Sequence, residues 1–408
     1  MRQLLERCCG LDVHKKSISA CARVPDEQGE VAELYATFGT TTPDLLELSD
    51  WMMGLGVTHV AMEATGDFWK PVYYILEADF ELLLVNPAHI KHVPERKTDA
   101  IDAAWIAELL SYGLLRKSFV PPPPIRRLRD LTRYRKALIR DRSREVNRVH
   151  KVLEDAGVKL SAVATDVMGV SGRAMMEALI GGTSNPDALA SLAKGRLRAK
   201  LPELQKALTA RFKDHHGFML QQMLAHIDDL DADIVAISGR IEAEIGPFAE
   251  KAKLLPSITG VGPRAAEAII GEVGVDMSVF PTSGHLASWA GLCPGQRESA
   301  GKRKSSRTRK GSELLRTTLV ECAHSASHTK DTYLAEFFWQ VTRRQGKDKA
   351  IVAVAHEILI ACWRVLSTGT AYCDPGPGAL RARSEEQIRR RAIRQLESLG
   401  LRVTLDAA

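Results

Sequence analysis

Apolar residues in the first third of the chain fall in short alternating runs, and beyond it they recur at spacings of three and four. CCGLDVHKKSISACARV alternates enough to predict a strand, and VAELYATFG predicts a second. VTHVAMEATG holds a short β-branched run that ends at Glu63 and Gly66. Residues 68 to 77 read as a helix, and ELLLVNP as a short buried strand stopped by Asn86 and Pro87. RKTDAIDAAWIAELL then opens an apolar helix, with Asp99 and Asp102 three apart in its first turn. Pro121 to Pro124 close this region, because four prolines in a row cannot continue a helix or a central strand.

The pattern beyond the prolines is helical. From Arg126 to Lys151 there are eleven Lys and Arg against three acids, with apolar residues at helical spacing, which predicts one long basic helix. A second long helix is expected near 218 to 245. There Met223, Ile227, Leu230, Ile234, Ile237 and Ile241 form a coiled-coil seam. Together the two suggest an antiparallel helical arm with the less regular 157–200 region at its far end. LLPSITGVGPRAAEAIIGEVG reads as a helix-hairpin-helix, whose Gly260 and Gly262 would let the backbone approach a phosphate. From Gly301 to Gly311 the chain carries six Lys or Arg and no acid. The tail, from about Asp374, is PGPG followed by an Arg-rich helix.

Composition narrows the class. With 408 residues, 45% hydrophobic and 26% charged, the chain is a globular protein of two or three domains. The net charge of +6 matters less than its clustering. MRQLLERCCG has no apolar core long enough for a signal peptide. AIVAVAHEILIACW carries His356 and Glu357 in its middle and reads as a buried helix too short to span a bilayer, so no membrane is expected. Seven cysteines without a CxxC pair suggest neither a disulfide framework nor a zinc site, and point to a reducing cytoplasm.

Four carboxylates change the picture. Phosphodiester cleavage with two metal ions needs about four such ligands around ions roughly 3.5–4 Å apart. Asp12 lies on the first strand, Glu63 ends a neighbouring one, and Asp99 and Asp102 can face the same side of their helix. Their order, spacing and element types fit a ribonuclease-H-like, RuvC-like site holding Mg2+ or Mn2+. Asp67, better placed as a helix cap, and Glu95 are weaker candidates.

The segments GLDVHK, AMEATGDFW, NPAHIKH and RKTDAIDA resemble the DEDD transposases of the insertion sequence 110 family. The resemblance continues through FPTSGHLASWAGLCPG and ESAGKRKSSRTRKGSELLR, and covers roughly residues 8 to 370. It implies an α/β plus α architecture. A RuvC-like mixed-sheet domain would span 1–122 and a coiled-coil insertion 123–250. A mainly helical transposase domain with the helix-hairpin-helix would span 251–373, and a basic tail 374–408.

The resemblance also implies a recombinase that cuts and rejoins DNA. Asp12, Glu63, Asp99 and Asp102 would be its metal ligands, and a serine its nucleophile. SAGK makes Ser299 the choice, with Ser305 and Ser306 as the fallback. A structured guide RNA is implied as a partner beside DNA, and a dimer or tetramer as the assembly. Phosphate contacts are expected from Gly260, Gly262, Arg133, Arg140 and Arg144, and from the run of Lys302, Arg303, Lys304, Arg307, Arg309 and Lys310. The alternative is a RuvC-like structure-selective endonuclease that hydrolyses DNA without a covalent intermediate.

Overall fold

The computed structural model describes residues 3–87, 99–293, 297–299, 302–305, 308 and 311–398, with the backbone alone at 99–100, 297–299, 302–305 and 381–388. It divides into two compact units, Met1–Val120 and Pro121–Ala408.

The first unit is a mixed α/β sheet. Its elements are β1 (Cys8–Val13), β2 (Ile18–Pro25), β3 (Val31–Phe38), α1 (Thr42–Gly54), β4 (His59–Glu63), α2 (Trp69–Leu76), β5 (Glu81–Val85) and α3 (Asp99–Ser111). The five strands lie in the order β3-β2-β1-β4-β5. β1, β2 and β3 pair antiparallel, whereas β4 is parallel to β1 and to β5. The stretch read as one strand is therefore a hairpin, closed where the His14 N–H donates to the Ser17 carbonyl at 2.9 Å.

Alternation sorts the side chains onto two faces. Cys9, Leu11, Val60, Met62, Leu82 and Leu84 pack against α1 and α2. On the opposite face Cys8, Ala61 and Val85 meet Ile106 and Leu110 of α3, and Cys21 meets Ala103 and Ala107. Gly10 sits beneath α3, where a Cβ would lie 2.3 Å from the Ala103 carbonyl oxygen and 2.4 Å from the Ala107 nitrogen. The absent side chain is what lets the helix backbone rest on the strand.

The second unit is almost wholly helical. It begins with α4 (Pro123–Asp155), then α5 (Leu160–Val163), α6 (Val170–Ile180), α7 (Pro186–Ser191), α8 (Leu201–Leu208) and α9 (Asp214–Glu244). It continues with α10 (Ala249–Leu254), α11 (Pro263–Val273), α12 (Ser283–Trp289), the strands β6 (Arg297–Ser299) and β7 (Lys302–Ser305), then α13 (Glu313–His328), α14 (Tyr333–Gln345), α15 (Lys347–Thr368) and α16 (Ala379–Ser398). The proline run does not only end the preceding region. Pro123 and Pro124 form the first turn of α4, where no intrahelical N–H is required.

α4 and α9 run antiparallel. Arg127 meets Glu244, Leu138 packs with Leu230 and Ile234, and Asp155 meets His216. The α9 seam thus finds its partner within the same chain. The short helices α5 to α8 close one end of the arm around a core that includes Leu153, Met175, Met176, Leu204 and Leu220. α15 is long and apolar enough to cross a membrane, contrary to the length expected for it. Its apolar face is buried, however, through Ile351, Val354, Ile358 and Leu359, as in the core helix of a globular domain.

Candidate active site and nucleic-acid interface

Asp12 and Glu63 occupy matching places on neighbouring strands. Leu11 of β1 pairs in register with Met62 of β4, and each carboxylate is the next residue along its strand. Both strands run the same way, so both residues emerge at one edge of the sheet. Asp12 shares its face with Cys8 and Gly10, and Glu63 shares its face with Ala61, which is the face covered by α3. The direction of α3 completes the arrangement. Ala107 reaches back to Cys8, whose thiol points to its carbonyl at 3.6 Å, while Ala103 lies over Gly10. The helix therefore starts towards the end of β1 that carries Asp12. Asp102, half-buried, precedes the contact with Gly10, and Asp99 begins the helix one turn earlier, its side chain outside the described residues.

Two residues that the sequence reading did not single out orient these acids. His14 Nε2 lies 3.2 Å from Asp12 Oδ2, and the Thr65 hydroxyl donates to Glu63 Oε1 at 2.9 Å. Each is two positions from its carboxylate, a signal the alternation already held. Asp12 is 15% exposed, so its carboxylate is largely walled by protein. The acids lie on two strands and a helix at one end of the sheet, but among the described residues Asp12, Glu63 and Asp102 do not form a group whose ligand oxygens all lie within 4.8 Å of one another. Asp67 stands apart, paired with Lys70 at 2.7 Å on the surface, and Glu95 lies outside the described residues.

The neighbouring cysteines add nothing to such a site. Cys8 and Cys9 point to opposite faces of β1. Burial pushes the thiol of Cys8 up to about 11 and raises that of Cys9 well above the ordinary value. Burial also pushes Cys21 up to about 11, so all three stay protonated at neutral pH.

In the second unit, β6 and β7 form an antiparallel hairpin in which Ser299 pairs with Lys302. Ser299 is the last residue of β6. Lys302, Arg303, Lys304 and Ser305 make up β7. Ser306, Arg307, Arg309 and Lys310 lie outside the described residues. The segment is pinned where it rejoins the helices. A Cβ on Gly311 would come within 2.2 Å of the Ala290 carbonyl oxygen, and Ser312 caps α13.

Two family comparisons bear on this geometry. A family model described as a transposase of DEDD, IS110 type matches residues 9–157, and one described as Transposase IS116/IS110/IS902 family matches residues 252–339. The chain belongs to the IS110 family of insertion-sequence transposases.

Whole-chain similarity agrees with that membership. A putative transposase of Sinorhizobium fredii (y4pF/y4sB) is 26% identical over 325 residues, covering 77% of this chain and 74% of that one. A second from the same organism (y4rJ) is 29% identical over 338 residues, covering 76% and 78%. The transposase for insertion sequence element IS1328 of Yersinia enterocolitica is 23% identical over 320 residues, covering 77% and 85%. As a member of this family the protein is a DNA-modifying enzyme that binds DNA.

How this transposase deploys its cations is less simple than their sequence clustering suggests. Arg133 of α4 donates through Nε and Nη2, at 2.7 and 3.0 Å, to both oxygens of Glu272, a carboxylate on α11 with no exposure at all. The Ser312 hydroxyl donates to the same carboxylate at 2.9 Å. Arg135 pairs with Glu267 and Lys136 with Glu321, each at 2.7 Å. Arg140 meets Glu313 at 3.4 Å, and Arg144 meets Asp141. The pairs of Arg140 and Arg144 are exposed and cheap to exchange for a phosphate, but that of Arg133 is not. α4 thus uses much of its charge to hold α9, α11 and α13.

The two glycines of the turn before α11 differ in the same way. Gly260 (φ +87°) faces α13, where a Cβ would meet the Cys322 carbonyl oxygen at 2.4 Å, while Gly262 caps α11 with open space beside it. Only Gly262 leaves its backbone approachable from outside.

One further cluster, Asp155, His215 and His216, brings its ligand atoms within 4.8 Å of one another. His216 Nδ1 accepts the Lys213 backbone N–H at 3.0 Å. A neutral ring then carries its proton on Nε2 and gives it to Asp155 Oδ2, 3.1 Å away. Both ring nitrogens are thereby used in closing the arm, which leaves His216 no lone pair for a cation.

Proposed function

We propose that this transposase cuts and rejoins DNA through a carboxylate site made of Asp12, Glu63, Asp99 and Asp102, with Ser299 as the attacking nucleophile. The observation that carries the reading is the register of β1 and β4 beneath α3. It gathers Asp12, Glu63 and the start of α3 at one edge and one face of the sheet. These four carboxylates would hold Mg2+ or Mn2+. Bound there, the ions would lower the pKa of a hydroxyl and neutralise charge on the transferring phosphate.

The chain's own residues supply the rest. His14 and Thr65 fix the rotamers of Asp12 and Glu63, so those carboxylates need no rearrangement during reaction. The Ser299 hydroxyl attacks phosphorus. An Oγ–P bond forms as the P–O bond to the departing strand breaks, the serine proton leaves, and the departing oxygen takes up a proton. Rejoining runs the same exchange in reverse with a new strand hydroxyl. Lys302 to Lys304, beside Ser299 in the hairpin, supply positive charge for the phosphate backbone. Sequence choice in this reading is delegated to a structured RNA that pairs with DNA, while the protein reads backbone shape.

A suicide substrate carrying a nick near the cleavage point tests the reading. A protein–DNA adduct is expected from the native chain and from none of Asp12→Asn, Asp102→Asn or Ser299→Ala. If Ser299→Ala still forms the adduct, Ser305 or Ser306 takes its place. If cleavage proceeds with no adduct in any variant, the enzyme hydrolyses DNA directly and the serine step is wrong.

A further inference from the structure

The paired cations of α4 direct attention to a different set. Between Lys194 and Lys213 the chain carries seven Lys and Arg and one acid, Glu203. Lys194, Arg196, Arg198, Lys200, Lys206 and Arg211 are all exposed, as is Lys213. Among the described residues none of the seven forms an ion pair. Lys200 Nζ has a hydrogen bond to the Val163 carbonyl at 3.2 Å, which leaves its charge uncompensated.

Local structure turns these side chains outward. Gly195–Lys200 is a six-residue 3-10 helix in which no residue is buried. Runs of that length are uncommon for such a strained helix, so something must hold it in place. The apolar residues of the same stretch do so. Leu197, Leu201, Leu204, Leu208 and Phe212 pack into the core shared with α4, α6 and α9. The backbone is tied down as well: the Lys194 N–H donates to the Ser171 hydroxyl at 2.9 Å, and the Arg211 N–H donates to the Ala156 carbonyl at 2.9 Å. Apolar residues inside and cations outside therefore share one rigid segment at the closed end of the helical arm.

Charge left unpaired on a rigid, ordered surface has a physical cost in self-repulsion, and a polyanion relieves it. We infer that the outer face of residues 194–213 is a docking surface for the phosphate backbone of duplex DNA, the polyanion that membership of this transposase family supplies as a partner, at a place remote in sequence from the carboxylates and from Ser299. No base-reading geometry is involved. The contacts are charge to phosphate and so are independent of sequence. The inference does not depend on the proposed chemistry, since it concerns binding alone.

The test is fluorescence anisotropy on the full chain, with duplex DNA and duplex RNA as separate probes, over a series of potassium chloride concentrations. Two triple variants are compared with the native chain: Arg196→Gln/Arg198→Gln/Lys206→Gln, and Lys194→Gln/Arg211→Gln/Lys213→Gln. These exposed positions make no ion pair, so both variants are expected to keep the native melting temperature, and the second covers a folding failure of the first. Three lost phosphate contacts should weaken binding by on the order of tenfold at moderate salt. They should also flatten the slope of log K against log salt by roughly 2 to 3. A loss of affinity and slope on the DNA probe supports the inference, whereas a loss confined to the RNA probe overturns it and gives the surface to RNA. Unchanged affinity and slope on both probes in a folded variant overturn the inference.

Discussion

The Cα of Gly10 lies so close to α3 that a methyl group there would stand 2.3 Å from the carbonyl oxygen of Ala103. Both colliding atoms nearby are helix backbone, which cannot rotate away. Gly10→Ala must therefore lift the helix from the sheet and carry Asp102 with it. A loss of about 3 kcal/mol is expected, at the upper end for overpacking. Cleavage should fall with it. Chemical denaturation reads the first effect, and an unchanged midpoint would mean that α3 does not rest on β1.

Removing one carboxylate tests the site with little change in the fold. Asp12→Asn and Glu63→Gln keep the shape of each side chain and its neighbouring His14 or Thr65. Each should lower DNA cleavage by on the order of 10²–10³ or more at an unchanged melting temperature. His14→Ala should cost less, because it only orients Asp12. A His14→Ala variant as inactive as Asp12→Asn would assign the histidine a direct role.

Glu272 offers a stability test on a residue of neither the carboxylate set nor the hairpin that holds Ser299. Its carboxylate is wholly buried and holds Arg133 and Ser312. Glu272→Gln leaves Arg133 facing a neutral amide, and about 3 kcal/mol of stability should be lost. The partial exposure of Arg133 lets water recover some of that. Double variants with Arg133→Met should be less than additive, and full additivity in thermal unfolding would show that the two do not interact.

Thiol chemistry reports the burial of the sheet and the helical core. Burial pushes Cys8, Cys21 and Cys322 up to about 11 and raises Cys9 and Cys362. A thiol whose folded value is raised stabilises the fold below its ordinary value of 9.0, and that contribution is lost as the pH climbs towards about 11. At pH 8 a thiol-specific chromophore should label Cys373 rapidly and Cys293, half-buried, more slowly. The other five cysteines should react only after denaturation, and fast labelling of any of them would contradict the packing around β1 or α15.

Much of this was legible from residue order alone, and the exceptions have identifiable causes. Strand and helix periods located β3, β4, β5 and both long helices, because each has one face in a core. The turn between β1 and β2 carries no local signal, because HKKS contains neither Gly nor Pro to mark it. α1 adds to the predicted elements, and its start is marked by a capping signature in Thr41, Pro43 and Asp44, with the Thr41 N–H and hydroxyl both donating to Asp44. The matching strand-end positions of Asp12 and Glu63 are legible because the strand pattern places them, but the charge partners of α4 are not. Arg133 meets an acid 139 positions away and Lys136 one 185 away, and local pattern does not encode such contacts. The basic helix read as a nucleic-acid surface was in large part an internal fastening.

The antiparallel course of α4 and α9 brings the chain back to the neighbourhood it left, with Arg127 beside Glu244 at that end. An out-and-back layout of this kind works like a caliper: its span can change while its hinge end does not. Deleting one heptad from each helix at matched positions would shorten the arm by about 10 Å and preserve the seam's register. The distance between the closed tip and the rest of the helical unit is therefore a separate variable, and insertions or deletions in matched sevens alter it without touching Asp12, Glu63, Asp102 or Ser299.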